Sequence, residues 1–169
     1  MLKLSIIIPV YNEVRSLELI VDKIMSVPLT ISYEVILVDS GSFDGSTELI
    51  KKICEKNKFK SLFLSKNLGK GFCIRQALKK ADGDIVLIQD ADLEYDPNDY
   101  IKLLEPLLKR EVLFVMGSRH LKANTWRIRT TKRKSLYMEI INYGSEFLTK
   151  LFCFLYRVKL TDTQTMYKV

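Results

Sequence analysis

The sequence has 169 residues, a length that suits one compact domain with its own apolar core. Apolar residues make up 47% of the chain and charged residues 28%, a composition that excludes an intrinsically disordered protein. The net charge of +7 indicates an anionic partner, such as nucleotide phosphates, nucleic acid or an acidic membrane surface.

Strand-like and helix-like segments alternate along the first two thirds of the chain. Short apolar runs predict buried strands at 4–8, 33–38, 61–64, 85–88 and 112–116. Apolar residues at helical spacing predict helices at 13–27, 44–57, 69–81 and 97–109. Asp44 is the predicted N-cap of the second helix, and Asp96 that of the fourth. The alternation predicts an α/β fold with a mostly parallel sheet flanked by helices.

The stretch 119–134 differs in character because it contains seven basic residues and no acid. This density favours contact with phosphate or a membrane over an ordinary solvated loop. A helix-like segment, 135–157, follows and is rich in Tyr and Phe. It suits an interfacial helix or a lipid groove, and equally a buried core or a dimer contact.

The sequence lacks the motifs of several classes of metal, disulfide and membrane protein. Three scattered cysteines show no zinc, redox or disulfide spacing, and His120, the only histidine, excludes a multi-histidine metal site. No run approaches the roughly 18 apolar residues of a membrane-spanning helix, and the N-terminus lacks the layout of a signal peptide. We therefore expect a cytoplasmic protein at the cytoplasmic face of a membrane.

The residues after each predicted strand are polar, acidic or glycine-rich. In an open α/β sheet, ligands bind beyond the carboxyl ends of the strands, so we expect a binding site there. These residues form four groups, at 9–13, 39–46, 90–97 and 117–119.

Asp90 and Asp92 are the sharpest feature of this edge. In extended backbone their carboxylates point to the same side, where a cation would relieve their repulsion. Mg²⁺ and Mn²⁺ suit such oxygen ligands, and Glu94 could add a third. The alternative is a turn with solvated acids.

Two other acids have two interpretations each. Asp39 ends a buried strand and could contact a base or ribose, or bond to its own turn. Glu13 could bind ribose hydroxyls or favour the start of its helix. The segment 66–71 is not a Walker phosphate loop, although a helix start with Lys70 can attract anions.

The motifs together resemble glycosyltransferase family 2, which has the GT-A fold, and within it the dolichol-phosphate mannose synthase-like branch. The matching segments are I-P-V-Y-N-E at 8–13, V-D-S-G-S-F-D-G-S-T at 38–47, N-L-G-K-G at 67–71, Q-D-A-D-L-E-Y-D-P at 89–97, G-S-R at 117–119 and T-D-T-Q-T at 161–165. Ser40 departs from the family pattern, which has a second aspartate there. Family members usually continue with further, often membrane-associated helices. The resemblance therefore predicts that residues 1–169 are a single catalytic domain without them.

The resemblance implies an inverting, metal-dependent transfer of a hexose from a UDP- or GDP-sugar to polyprenyl (dolichyl or undecaprenyl) phosphate. It implies a Mg²⁺ or Mn²⁺ site at Asp90, Asp92 and Glu94, and catalytic roles for Asp92, Asp162 and Arg119. The implied nucleotide-sugar contacts are Pro9, Tyr11, Glu13, Asp39, Ser40, Gly41, Lys70, Asp90, Ala91 and Asp92. The implied acceptor and phosphate contacts are Arg119, Arg127, Arg129, Arg133, Lys134 and Ser135. Peripheral membrane contact and self-association are expected, and nucleic acid is not an expected partner.

Three alternatives remain at this point. A family 2 enzyme acting on a saccharide hydroxyl, in cell-envelope polysaccharide synthesis, would need a carboxylate base. A nucleotidyltransferase would also use paired aspartates and a metal, but the expected glycine-rich loop after the first strand is absent. A non-enzymatic domain that binds anions or membranes would rest on the positive charge alone and would bind in a strongly salt-dependent way.

Overall fold

The computed structural model describes residues 2–118, 136–163, 165 and 167–169, with side chains from residue 143 onward in the C-terminal part. The chain divides into two compact units. The first comprises Met1–Val115 and Tyr167–Val169, and the second comprises Met116–Met166.

Four strands of the first unit form a parallel sheet with the order β3-β2-β1-β4. The strands are β1 (Lys3–Val10), β2 (Ser32–Asp39), β3 (Lys60–Phe63) and β4 (Ile85–Ile88). Ile7 of β1 lies opposite Ile36 on one side and Ile88 on the other. Because all four strands are parallel, their carboxyl ends meet at one edge of the sheet. This confirms the predicted α/β fold with a parallel sheet.

Three helices connect the four strands, and two more follow β4 in the described part of the chain. They are α1 (Leu17–Ser26), α2 (Ser46–Asn57), α3 (Lys70–Leu78) and α4 (Tyr100–Leu108), with a 3₁₀ turn (Pro97–Asp99) before α4 and α5 (Leu136–Tyr156) in the second unit. Asp96 caps the 3₁₀ turn through the backbone N–H of Asn98, as predicted. No described helix has the length and apolarity needed to cross a membrane.

The sheet is apolar on both faces, which is why its strands read as continuous apolar runs. On one face, Ile7, Ile36 and Val38 pack with Cys73 and Ala77 of α3. The neighbouring residues of β1 and β2 alternate to the opposite face and are equally buried. Because both faces of β1 and β2 are buried, polar side chains lie at the two ends of the strands, and the carboxyl end is where ligands bind in such sheets.

The start of α2 differs from the prediction. The helix begins at Ser46, and its N-cap is Gly45, which has a φ of 99° that favours glycine. Asp44 lies one residue earlier, so it is not the N-cap. Its carboxylate nevertheless accepts the backbone N–H of Ser46 at 3.0 Å, which satisfies one of the free donors of the helix start. The predicted helix 13–27 likewise begins later, at Leu17, after a turn in which Glu13 O accepts the N–H of Leu17.

The predicted fifth strand at 112–116 is wrong. Among the described residues the pairing there is isolated: Val115 and Val169 exchange two backbone hydrogen bonds of 2.8 and 3.0 Å. The N–H of Ile88 in turn donates to Lys168 O at 3.2 Å, in an antiparallel bridge. Residues 112–116 are apolar enough for a strand, but Leu113 is almost fully exposed rather than packed against the core.

The second unit contains α5, which confirms the predicted helix over 135–157 apart from its end residues. Thr149 of α5 hydrogen-bonds Thr163 at 3.0 Å, and Cys153 Sγ accepts the backbone N–H of Leu160 at 3.4 Å. Several large apolar side chains of α5 are exposed: Tyr143, Phe147, Leu148, Phe154, Leu155 and Tyr156.

Candidate functional site

The candidate site lies at the carboxyl edge of the sheet. The chain runs from β1 to β2 and β3 on one side, then returns to place β4 on the other side of β1. The carboxyl ends of β1 and β4 therefore flank the point where the strand order reverses, which is where open α/β sheets bind ligands. The loops after β1, β2 and β4 contribute the residues described below.

Asn12 connects the loop after β1 to the loop after β2. Its backbone N–H donates to Ser42 Oγ at 3.0 Å, and its side-chain Oδ1 accepts the N–H of Phe43 at 3.0 Å. Asn12 has a φ of 57°, a left-handed conformation that asparagine adopts more readily than most residues. The two loops are thereby fixed against each other before any ligand binds.

Asp44 and Ser46 make the second connection between these loops. The N–H of Val14 donates to Asp44 Oδ2 at 3.1 Å, and the N–H of Glu13 donates to Ser46 Oγ at 2.9 Å. Burial alone would raise the pKa of Asp44, but the hydrogen bonds from Ser46 and Val14 outweigh it and lower that pKa. Asp44 therefore stays ionised and keeps the loops joined.

Asp39 is buried at the end of β2, and its carboxylate oxygens have partners in the following loop and in the first turn of α2. The N–H of Ser42 donates to Oδ1 at 3.0 Å, and the hydroxyl of Thr47 donates to Oδ2 at 2.6 Å. These bonds agree with the second interpretation of Asp39, in which its carboxylate bonds to the turn that follows β2. A carboxylate has about four acceptor positions, so Asp39 retains capacity for a ligand hydroxyl. Its nucleoside contact stays a prediction.

Tyr11 and Phe43 form an aromatic pair on the surface of these two loops. Their rings lie edge to face, with centroids 6.2 Å apart and planes at 81°. The residues are exposed to 42% and 82%, so ring surface is available to a planar ligand. Tyr11 is among the residues predicted from the sequence, whereas Phe43 is not; its signal in the sequence is a large aromatic residue between Gly41 and Gly45.

Asn67 links the loop after β2 to the start of α3. Its Oδ1 accepts the hydroxyl of Ser40 at 3.2 Å and the N–H of Gly69 at 2.9 Å. Gly41 is needed here because a Cβ on it would lie 2.9 Å from the Cα of Lys66, and its φ is 74°. Ser40 therefore positions the start of α3, a role that the sequence did not reveal.

Lys70, the first residue of α3, forms an ion pair with Asp90 in the loop after β4. Asp92 is exposed, and its Oδ1 accepts the N–H of Glu94 at 3.1 Å. Among the residues that the structure describes, no three acidic, histidine or cysteine side chains are arranged to hold a metal. The predicted three-carboxylate set is thus not preformed. Asp90 faces an ammonium group, and Asp92 accepts the Glu94 N–H of its own turn.

Gln89 holds the acidic loop from inside the core. Its side chain is fully buried, and its Nε2 donates to the carbonyls of Asp90 at 3.0 Å and Tyr95 at 3.4 Å. Its Oε1 accepts the hydroxyl of Tyr100 at 2.8 Å. Burial raises the pKa of Tyr100 far above its usual range, so this hydroxyl remains a proton donor. Gln89 is therefore a positioning residue of the motif at 89–97, a role that its place in the sequence does not indicate.

Tyr167 supports the other end of the same loop. Its hydroxyl donates to Asp96 O at 2.6 Å, and its ring lies 4.6 Å from that of Tyr95. Burial raises its pKa as well, so the hydroxyl keeps its proton. The backbone around Asp90 and Asp92 is thus fixed at both ends by buried hydroxyl and amide groups.

We expect Tyr100→Phe to lower the free energy of unfolding by about 1–2 kcal/mol, because it leaves Gln89 Oε1 buried without its donor. Urea unfolding followed by circular dichroism measures the change. Tyr33→Phe removes a hydroxyl from a partly exposed tyrosine of β2 and serves as the control. Equal stability of both variants would show that the Tyr100–Gln89 bond contributes little.

Of the remaining predicted site residues, Pro9 lies in β1, Ala91 is buried beside Asp90, and Asp162 is buried within the second unit. The predicted acceptor and phosphate contacts lie outside the described residues: Arg119, Arg127, Arg129, Arg133, Lys134 and Ser135. Their roles stay predictions.

Comparison with known proteins agrees with this geometry. The model of the family "Glycosyl transferase family 2" matches residues 5–166. An undecaprenyl-phosphate 4-deoxy-4-formamido-L-arabinose transferase of Aeromonas hydrophila is 38% identical over 109 residues, which cover 62% of this chain and 33% of the relative. The chain thus spans about a third of the length of this curated relative.

Two solved structures are also similar. One is the mannosyltransferase PcManGT from Pyrobaculum calidifontis in complex with GDP-Man and Mn²⁺, with 29% identity and a TM-score of 0.53 over 58% of this chain and 30% of that chain. The other is S. aureus TarS 1–349 in complex with UDP-GlcNAc, with 27% identity and a TM-score of 0.55 over 64% of this chain and 31% of that chain.

Proposed function

The chain belongs to glycosyltransferase family 2, and from that premise we propose that it transfers a sugar from a UDP- or GDP-sugar to a polyprenyl phosphate. The observation that carries the proposal is the acidic loop after β4, which lies at the strand-order reversal beside the loop after β1. The name of the Aeromonas relative supports the polyprenyl phosphate acceptor. We propose a hexose as the transferred sugar, whereas the sugar in that relative's name is a modified arabinose.

We propose that the first two loops bind the nucleoside. Tyr11 and Phe43 offer exposed ring surface for the base, and Asp39 retains acceptor positions for ribose hydroxyls. The hydrogen bonds between the two loops reduce the ordering that binding requires, because the contacts exist in the free protein. Lys70 adds positive charge at the start of α3, which favours a diphosphate.

Asp90 and Asp92 fit a divalent cation, since Mg²⁺ commonly takes one or two protein carboxylates and completes its shell with substrate phosphates. Mn²⁺ in the similar mannosyltransferase structure supports a divalent metal here. Such a metal would supply Lewis-acid stabilisation of the negative charge on the leaving diphosphate. Gln89 and Tyr167 would keep the two carboxylates in place.

The acceptor side of the proposal rests on residues beyond the first unit. A polyprenyl phosphate is already anionic and needs little help from a base, whereas a saccharide hydroxyl must lose a proton to a carboxylate such as Asp162. The basic residues between 119 and 134 suit a phosphate acceptor. The exposed aromatic side chains of α5 support peripheral contact with a membrane at its cytoplasmic face.

Calorimetric titration with UDP and GDP, each with and without Mn²⁺, tests the donor site. We expect one of the two nucleotides to bind only when Mn²⁺ is present, because the exposed carboxylate of Asp92 would otherwise repel the diphosphate. ADP with Mn²⁺ serves as the control for phosphate binding without base recognition. If neither UDP nor GDP binds in the presence of Mn²⁺, the proposed donor site is refuted.

A further inference from the structure

The ion pair between Lys70 and Asp90 joins two of the proposed donor-site residues to each other. We propose that Lys70 is a displaceable counter-ion: it neutralises Asp90 while no metal is bound and is released when a divalent cation binds there. The released ammonium group then contacts the nucleotide diphosphate. This inference rests on the proposed function. It adds that metal binding at Asp90 releases Lys70, which then contacts the diphosphate.

The position of Asp90 explains why it takes a partner. Its side chain is only 17% exposed, and a carboxylate that is largely removed from water is costly unless it is paired. Lys70, whose side chain is 30% exposed, supplies that charge from another element of the fold. A divalent cation on the same carboxylate would repel the ammonium group, so the two compete for Asp90.

The start of α3 allows this exchange without a change in backbone. Asn67 holds the N–H of Gly69, so the helix start is fixed relative to the loop after β2. A Cβ placed on Gly69 or Gly71 would meet no atom within 4 Å, so the space beside Lys70 is open. The four-carbon stem of the lysine can therefore swing while its backbone remains in place.

Two consequences follow from the competition. Metal binding to the free protein must displace Lys70 and is therefore weaker than two carboxylates alone would give. A nucleotide diphosphate offers the displaced ammonium group a new anionic partner, so metal and nucleotide should each strengthen the binding of the other. A lysine that only added positive charge to the site would not oppose metal binding through a specific contact.

The test is a titration of the protein with Mn²⁺ alone, followed by electron paramagnetic resonance of the free ion. We expect Lys70→Met to bind Mn²⁺ about tenfold more tightly than the wild type, within the usual range of coupling between two sites. Lys70→Arg keeps a cation that pairs well with carboxylates, so it should bind Mn²⁺ no more tightly than the wild type. Lys66→Met removes an exposed lysine of the loop before α3 and controls for net charge. Circular dichroism checks that each variant is folded.

In the second half of the experiment, nucleotide is titrated into Mn²⁺-saturated protein. Lys70→Met should bind UDP or GDP about tenfold more weakly, because the diphosphate loses its ammonium partner. Mn²⁺ binding by Lys70→Met that is equal to or weaker than wild-type binding, or absent from both proteins, would overturn the inference. Tighter Mn²⁺ binding by the variant, with no nucleotide binding by the wild type, would support the competition and refute the proposed function.

Discussion

Replacing Asp92 by Asn is expected to weaken Mn²⁺-dependent nucleotide binding roughly 100-fold while the protein stays folded. Asp92 is exposed, and its one described hydrogen bond, from the N–H of Glu94, can be kept by the amide oxygen of asparagine. The loss would therefore come from the missing charge rather than from a changed loop. Removing one partner of a close charge pair typically costs about 3 kcal/mol, which corresponds to roughly a 100-fold loss of affinity.

Asp90→Asn should have a similar effect on nucleotide binding, since it removes the other proposed metal ligand. The control is Asp99→Asn, which makes the same change of charge in the exposed 3₁₀ turn that follows the acidic loop. Calorimetry with UDP and GDP in the presence of Mn²⁺ measures all three variants. If both aspartate variants bind as tightly as Asp99→Asn, neither carboxylate belongs to the donor site.

The parts of the fold that the sequence predicted correctly are those determined by local pattern. The apolar runs of β1 and β2 are buried on both faces, and the short apolar run of β4 is partly buried. These runs identified the strands, and the ends of the strands identified the edge of the sheet that carries the site. The strand limits of β4, Ile85 and Ile88, were predicted to the residue. The run 112–116 has the same local pattern, but the described residues there form isolated pairing rather than a strand, with two backbone hydrogen bonds between Val115 and Val169.

The parts of the site that the sequence did not predict depend on contacts between distant residues. Ser40 and Asn67 are 27 residues apart, and Lys70 and Asp90 are 20 apart, so neither pair shows a local spacing. The same holds for the bond from Tyr167 to the backbone of Asp96. Family resemblance supplied the residue types of the motifs, but only the folded chain shows which of them hold each other in place.

The opposite edge of the sheet, where the strands begin, has a different kind of polar cluster centred on Glu34. Its Oε1 accepts the hydroxyl of Ser5 and the N–H of Asp82, both at 2.6 Å. Its Oε2 lies 2.8 Å from Nζ of Lys60 and 3.3 Å from Nζ of Lys3. These groups come from the beginnings of β1, β2 and β3 and from the residues before β4, so Glu34 ties the four strands together at this edge.

The pKa of Glu34 reflects this arrangement. Burial alone would raise it, but the hydrogen bonds from Lys60, Ser5, Asp82 and Lys3 outweigh burial and lower the pKa from 4.5 to about 2. Because the folded pKa lies below the unfolded one, the ionised carboxylate stabilises the fold fully above about pH 4.5. That stability is lost as the pH falls from 4.5 toward 2.

We therefore expect Glu34→Gln to lower the free energy of unfolding by about 2 kcal/mol at pH 7. Each pKa unit corresponds to about 1.4 kcal/mol, and the partly exposed lysines reduce the full effect. Glutamine can still accept the bonds from Ser5 and Asp82, so the variant removes mainly the charge. Urea unfolding at pH 7 measures the loss, and Glu105→Gln, at an exposed ion pair with Lys109 on α4, should leave the midpoint nearly unchanged.

The pH dependence separates this charge effect from a packing defect. The stability difference between the wild type and Glu34→Gln should be largest above about pH 5 and should shrink as the pH approaches 2, where the wild-type carboxyl also becomes neutral. A difference that stays constant between pH 7 and pH 2 would mean that the glutamine disturbs the packing of Glu34 rather than its charge. The shrinking difference would instead show that ion pairing at the starts of the strands stabilises the sheet whose other edge carries the candidate site.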